Sequence, residues 1–194
     1  MSEKAFVAWA CSKDVSRVEW VNGEVERMAP PNFDHVDAQG WLASILRLYV
    51  EFHELGVVVG PEYMIRLALP KPRRRIPDLQ YIAQSRTHLI KKDGFHGPPD
   101  LAVEIVSPDD PARDYRVKYL EYEEAGVKEY WILDPMLQLS HFHTRGRNGT
   151  YSEIEPIGGK IHSKVVKGFW LDPKWLFAAK RPTALSVLKL LGVT

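Results

Sequence analysis

Glu104 interrupts an apolar run, Leu101-Ala-Val-Glu-Ile-Val106. A run of this kind reads as a strand covered on both faces. A carboxylate inside it costs several kcal/mol unless it is neutralised, paired or bound to a metal. Two readings are open at this point, a structural ion pair with an arginine and a reactive centre. Asp78 follows Pro77 in Ile76-Pro-Asp-Leu-Gln-Tyr-Ile82, where Asp78, Gln80 and Ile82 share one strand face and Leu79 and Tyr81 the other. Proline inside a strand favours an edge or bend, where a side chain can face a cleft. Two carboxylates on neighbouring strands repel each other, and a divalent cation removes that penalty. Oxygen ligands completed by water suit Mg²⁺ or Mn²⁺, which can activate water and stabilise a phosphorane-like transition state. Asp114, Lys118 and Tyr122 stand at i, i+4 and i+8 and form one polar helical stripe. A lysine beside the metal could orient the attacking water or stabilise charge on a phosphate. Its simpler reading is a salt bridge with Asp114.

Other chemistries find no support. His141 and His143 alternate onto one strand face, but no acid or cysteine nearby in sequence completes a metal set, so they read as surface residues. Cys11 is the only cysteine, which excludes an intramolecular disulfide and a cysteine-rich zinc site. There is no Gly-x-Ser-x-Gly turn and no phosphate-cradling glycine loop, so neither a serine hydrolase nor a nucleotide cofactor is expected. The net charge of +1 gives no overall support to nucleic-acid binding, and any basic surface must be local. The densest basic run, Lys71-Pro-Arg73-Arg74-Arg75, reads as a solvated turn.

The elements that must position these residues follow from turn and cap signals. The 194 residues suit one domain with a substantial core. No run of about 18 apolar residues is present, so no membrane span is expected. Ala5 to Cys11 is too short for an export segment and is followed at once by Lys13 and Asp14; it reads as a strand or turn of a cytoplasmic protein. Asn22-Gly23 joins Val18–Val21 to Glu24–Met28 in a type I′ hairpin. Asp34 is the expected cap of a helix from about His35 to Leu55, ended by Gly56, with Leu42, Ile45, Leu46, Tyr49, Val50 and Phe52 on one face. Strands are expected over Val57–Val59, Tyr63–Leu69, Ile76–Ile82 and Leu101–Val106, with a loop or short helix over 84–100. Asp110 and Pro111 then open a helix that runs to Ala125 and stops at Gly126. The strand Val127–Leu133 completes a βαβ crossover. Hairpins at Asn148-Gly149 and Gly158-Gly159 and a short helix near 183–191 make the tail.

These residues also carry a resemblance. Ile76-Pro-Asp78, then Pro99-Asp-Leu-Ala-Val-Glu-Ile-Val-Ser-Pro108, then Asp114, Lys118, Tyr122, Ala125-Gly-Val, Glu129-Tyr-Trp131 and Asp134-Pro135 resemble the Uma-type restriction endonuclease family, within the PD-(D/E)XK nuclease superfamily. The hairpin Val21-Asn-Gly-Glu-Val25, Met28-Ala-Pro-Pro31 and His35 match its N-terminal pattern, and the likeness covers roughly residues 16–143 by motif order. It implies an α/β (mixed α+β) restriction-endonuclease-like core, a mixed sheet flanked by helices, with extra N- and C-terminal hairpins. It implies Asp78 and Glu104 as ligands of Mg²⁺ or Mn²⁺ and hydrolysis of DNA phosphodiester bonds. The superfamily's lysine two residues after the glutamate is Val106 here, so the role falls to Lys118 on the next helix. Glu24 and His35 fall on family motif positions: Glu24 as a further metal-side carboxylate or a solvated hairpin residue, His35 as a phosphate contact or a helix-start histidine. Tyr122 is either a hydrogen-bond donor near the site or a core residue. Arg73, Arg74 and Arg75 are the candidates for phosphate contact with DNA.

A metal-dependent endonuclease is therefore the leading expectation. The alternatives are a silent nucleic-acid- or protein-binding module on the same fold and a hydrolase of another phosphoester. Cutting both strands of a duplex calls for two active sites, so a homodimer is expected.

Overall fold

The computed structural model describes residues 1–193 apart from 13, 14 and 16. Lys13 and Asp14, which follow the apolar N-terminal run, and residue 16, at the start of the family likeness, lie outside the described residues.

The central sheet has six strands in the order Tyr151–Glu153, Leu139–Arg145, Glu129–Asp134, Leu101–Ile105, Leu79–Ala83 and Gly56–Val59. Only Leu101–Ile105 and Glu129–Asp134 pair in parallel, as expected of strands joined by a helical crossover; the other neighbours are antiparallel. Each of these two strands is buried along its whole length, which accounts for their near-continuous apolar sequence.

The pleat divides the core in two. Leu79, Tyr81, Leu101, Val103 and Ile105 face one cluster. Ile82, Ala102 and Val106 face the other, with Tyr122 and Tyr130. The first is covered by the long helix Phe33–Phe52, whose Leu42, Ile45, Leu46, Tyr49 and Val50 are buried, and by the tail helix Ala184–Leu190. Asn32, not Asp34, caps the long helix, accepting from the His35 N–H at 2.9 Å. An Asn side chain immediately ahead of the first helical residue captures the orphan N–H that Asp34, already inside, cannot reach. The helix ends at Phe52, which is half exposed rather than on the buried face.

A second sheet orders Glu24–Arg27, Val18–Val21, Arg73–Arg75, Ile65–Leu67, Gly94–Phe95 and Ile90–Lys91. The N-terminal hairpin is therefore part of a larger sheet, pairing with Arg73–Arg75. Its turn has Asn22 at φ 50° and Gly23 at φ 98°, the geometry the Asn-Gly pair favours. Ala5 to Cys11 is not a strand: it lies in the helix Glu3–Ser12, with Phe6 fully buried against Val18 and Trp20. A short apolar run carries no decisive period, and the tertiary contact of Phe6 decides it.

The crossover helix opens at residue 111, where Asp110 and Pro111 place its start, but it then widens. Arg113–Lys118 form a π-helical turn that passes into the α-helix Tyr119–Ala125, closed by Gly126 in the left-handed region at φ 90°. Wide turns of this kind concentrate at functional sites. At the tail, buried Glu129 accepts from the Trp131 indole and from the Lys164 and Val165 N–H groups, tying the last strands to the central sheet. Among the described residues no helix is long and apolar enough to cross a membrane.

Candidate active site

Asp78 stands one residue ahead of Leu79–Ala83, where Pro77 has already withdrawn a backbone donor. The antiparallel register Leu79↔Val103 and Gln80↔Ala102 continues to put Asp78 beside Glu104 on the same face. Both line one small pocket with His35, Asp114, Lys118, Arg17 and Arg113. Asp78 is 8% exposed and Glu104 2%, so neither carboxylate is solvated in the ordinary sense.

Each is held by named partners. One Asp78 oxygen, Oδ2, accepts from the Ile105 N–H at 2.7 Å. The other, Oδ1, lies 3.0 Å from His35 Nε2 and accepts from the Gln39 side-chain amide at 3.3 Å. Glu104 Oε2 accepts from the Lys118 ammonium at 2.7 Å, and its Oε1 from the Tyr122 hydroxyl at 2.6 Å. Lys118 is only 3% exposed and also lies 3.1 Å from Asp114 Oδ1. Both readings of this lysine are thus realised at once: it pairs with Asp114 and it reaches the carboxylate pair. The wide turn puts Asp114 and Lys118 inside together, and the Tyr130 hydroxyl donates to the Asp114 carbonyl.

Burial, together with the negative charges of Asp114, Asp78 and Glu19, holds the Glu104 carboxyl above its ordinary range despite the opposing pull of Lys118. Burial raises Asp114 likewise. Asp114 Oδ1 has no hydrogen bond of good geometry. Lys118 is held in its charged form by these carboxylates against the cost of burial.

Hard oxygen donors in excess over their one buried ammonium fit a divalent cation, which would relieve the repulsion that raises Glu104. Among the described residues no three His, Cys, Asp or Glu side chains are already gathered into a coordination group. The fit therefore rests on the donor chemistry of Asp78 and Glu104 and on the raised Glu104 carboxyl.

His35 and Tyr122 are brought into contact with the carboxylates; Glu24 is not. It is exposed beside the hairpin turn and does not line the pocket. Glu24 shares a sheet face with Glu19, through the pairs Val21↔Glu24 and Glu19↔Glu26, but it stands beside the turn at the end of the hairpin, whereas Glu19 lies further along and is fully buried. Arg73, Arg74 and Arg75 require the clearest correction, for they are a strand and not a solvated turn. Arg75 is 1% exposed and pairs with Glu19, Glu26 and Glu121. Arg74 is spent on Glu3 and Asp93, and Arg73 on Glu121. These guanidinium groups are taken up by ion pairs within the fold, to buried Glu19 and to the half-buried Glu3, Glu26, Asp93 and Glu121. Sequence reasoning missed Glu19, Gln39, Arg17 and Arg113, none of which carries a local signal. His141 and His143 are half-buried with parallel rings, and His141 pairs with Glu153, apart from the site.

The sequence model of the Uma2 family, described as "Putative restriction endonuclease", matches residues 4–174. That span includes the N-terminal helix and most of the tail as well as the motif-bearing core. No curated protein matches the chain. Among solved structures, a "putative nuclease belonging to DUF820" from Anabaena variabilis ATCC 29413 is similar, with a TM-score of 0.67 at 19% identity over 82% of this chain and 89% of that one. At that identity the likeness speaks for the fold, and it is the mixed sheet flanked by helices described above.

Proposed function

The chain belongs to the Uma2 family, and from that premise we propose that it is a divalent-metal-dependent endonuclease that hydrolyses DNA phosphodiester bonds. Family membership supports nuclease activity in general; the metal and the DNA substrate are the finer reading. The observation that carries it is the buried group Asp78, Glu104 and Lys118 lining one pocket, with Glu104 held above its ordinary range by burial and by the neighbouring carboxylates.

In this reading Asp78 and Glu104 hold Mg²⁺ or Mn²⁺. Bound there, the cation supplies Lewis acidity toward a phosphate oxygen and lowers the pKa of a water. His35 and Gln39 fix the Asp78 carboxylate, and Tyr122 fixes Glu104, so that the donor atoms are held before substrate arrives. Lys118, already charged and dry, donates to the negative charge that grows on the phosphate or orients the water that attacks it. Asp114 holds the ammonium in place from its other side. A buried cation fixed in this way needs no reorganisation at the moment of reaction.

The test is cleavage of plasmid, linear and single-stranded DNA in Mg²⁺ and in Mn²⁺, beside Asp78→Ala. Cleavage lost in the variant is expected; equal cleavage by both proteins, or none by either, refutes the reading. Titration calorimetry with Mn²⁺ gives a second arm, since Glu104→Gln keeps the size but removes the charge and should abolish the heat of binding.

A further inference from the structure

The carboxylate pocket is small, about 30 Å³, but its walls continue into two larger hollows. One, of about 510 Å³, shares Arg17 and Ile76 with it and extends past Tyr63 to Lys92. The other, of about 390 Å³, shares Arg113 with it and extends to Arg27 and Val117. The carboxylate pocket thus shares a lining arginine with each neighbouring hollow, Arg17 with the first and Arg113 with the second.

Those two arginines differ from the locked ones on Arg73–Arg75. Arg113 acts on the neighbouring Asp114 carboxylate through its charge, yet its Nε is buried without a hydrogen-bond partner. A buried N–H left unmet is costly, and a ligand oxygen removes the cost. Arg17 sits at φ 58°, a region a non-glycine residue enters only when its surroundings impose it. Its Nε donates to the Ala29 carbonyl at 3.2 Å and its own carbonyl accepts from the Met28 N–H, so the residue is pinned against the hairpin at the pocket wall. The hollows also hold acids, Glu62 and Asp93 in one and Glu26 and Asp110 in the other. Of these Asp93 is paired with Arg74 and Glu26 with Arg75.

Resting on the nuclease reading above, we infer that Arg17 and Arg113 clamp the phosphates on either side of the scissile one, the two hollows taking the strand as it enters and leaves. A planar guanidinium matches two phosphate oxygens at once, which fixes the register of the backbone without reading bases. The two residues are binding residues, and their loss acts on substrate affinity before it acts on turnover.

The experiment separates this inference from the reaction. Fluorescence anisotropy of labelled single- and double-stranded oligonucleotides in EDTA, over a range of NaCl, compares wild type, Arg17→Gln, Arg113→Gln, the double variant and Arg47→Gln. Arg47 pairs with Glu51 on the exposed face of the long helix and serves as the charge control. The double variant should bind about tenfold or more weakly for every sequence, with its salt slope flattened by about 2, each single variant by about 1, and Arg47→Gln unchanged. Arg113→Lys should keep the slope but recover only part of the affinity, because the fork is lost. With Mg²⁺ present, KM should rise more than kcat falls. Unchanged affinity and slope in the double variant, or no binding by wild type below about 10⁻⁴ M, overturns the clamp. Cleavage that depends on Asp78 yet ignores both arginines leaves the nuclease reading standing without it. Arginine-dependent binding with no cleavage leaves the clamp without the nuclease.

Discussion

Two groups of buried charge lie within this fold, and they are settled in opposite ways. Around Arg75, every buried carboxylate has its partner. Glu19 gives one oxygen to Arg75 at 2.7 Å and the other to the Ile76 N–H at 2.8 Å, and Glu121 takes both Arg73 and Arg75. Burial opposes ionisation of Glu19, but Lys118, Arg75 and that N–H outweigh it and keep its pKa below the ordinary value. Around Lys118 one ammonium serves Glu104 and Asp114 together, and burial raises both acids. Glu19 and Glu104 are both buried; their donors differ. The first cluster is a clamp joining the hairpin, the strand Arg73–Arg75 and the crossover helix. In the second, Glu104 and Asp114 share one ammonium and both are held above their ordinary range, which suits the metal proposed there.

The contrast can be broken at either end. Glu104→Gln should reduce cleavage by on the order of 10³-fold or more while the protein stays folded by circular dichroism, because it removes a carboxylate the reaction needs and the fold does not. Retained cleavage would make the second cluster structural like the first. Arg75→Met should do the reverse. It leaves Glu19 buried and unpaired and should cost about 3–5 kcal/mol in urea unfolding, whatever substrate is present. A loss below about 1 kcal/mol would show that the clamp is not what joins these elements.

Lys118→Met sharpens the comparison, since it removes the ammonium that pairs with both Glu104 and Asp114. Turnover should fall about 10²-fold with KM little changed, and Lys118→Arg should rescue poorly because a planar fork does not replace a compact ammonium in a tight site. Full activity in the methionine variant would end the proposed role.

The smallest effect concerns pH. Glu19 has a depressed folded pKa, so its stabilising contribution is complete above the unfolded value of about 4.3 and is lost as pH falls through the folded value. Glu19→Gln should therefore be less stable than wild type at neutral pH, and the difference should shrink as pH falls below about 4. A gap that stays constant or widens on acidification would contradict the assignment.

Much of this was legible along the chain. An acid inside the apolar run Leu101–Val106 announces a carboxylate that needs a reason, and strand alternation puts Asp78, Gln80 and Ile82 on one face. Asn22-Gly23, Gly126 and the Thr183–Leu190 region end or begin elements through local backbone chemistry, which short stretches of sequence encode directly. The order of the motifs was enough to identify the family. Other features depend on residues far apart in sequence. Arg73-Arg74-Arg75 has the composition of a solvated basic turn. It becomes a buried clamp only because Glu19, Glu26 and Glu121 arrive from the hairpin and the crossover helix. Glu24 and Glu19 are both hairpin glutamates, and only the packing of that sheet against the helix decides which is buried. The helical spacing of Asp114 and Lys118 predicts their pairing, but the π turn and the proximity of Glu104 are tertiary facts. Periodicity and turn chemistry act over a few residues and can be read there; the partner of a charge is chosen by whatever the folded chain brings within a few ångströms, and no local pattern records it.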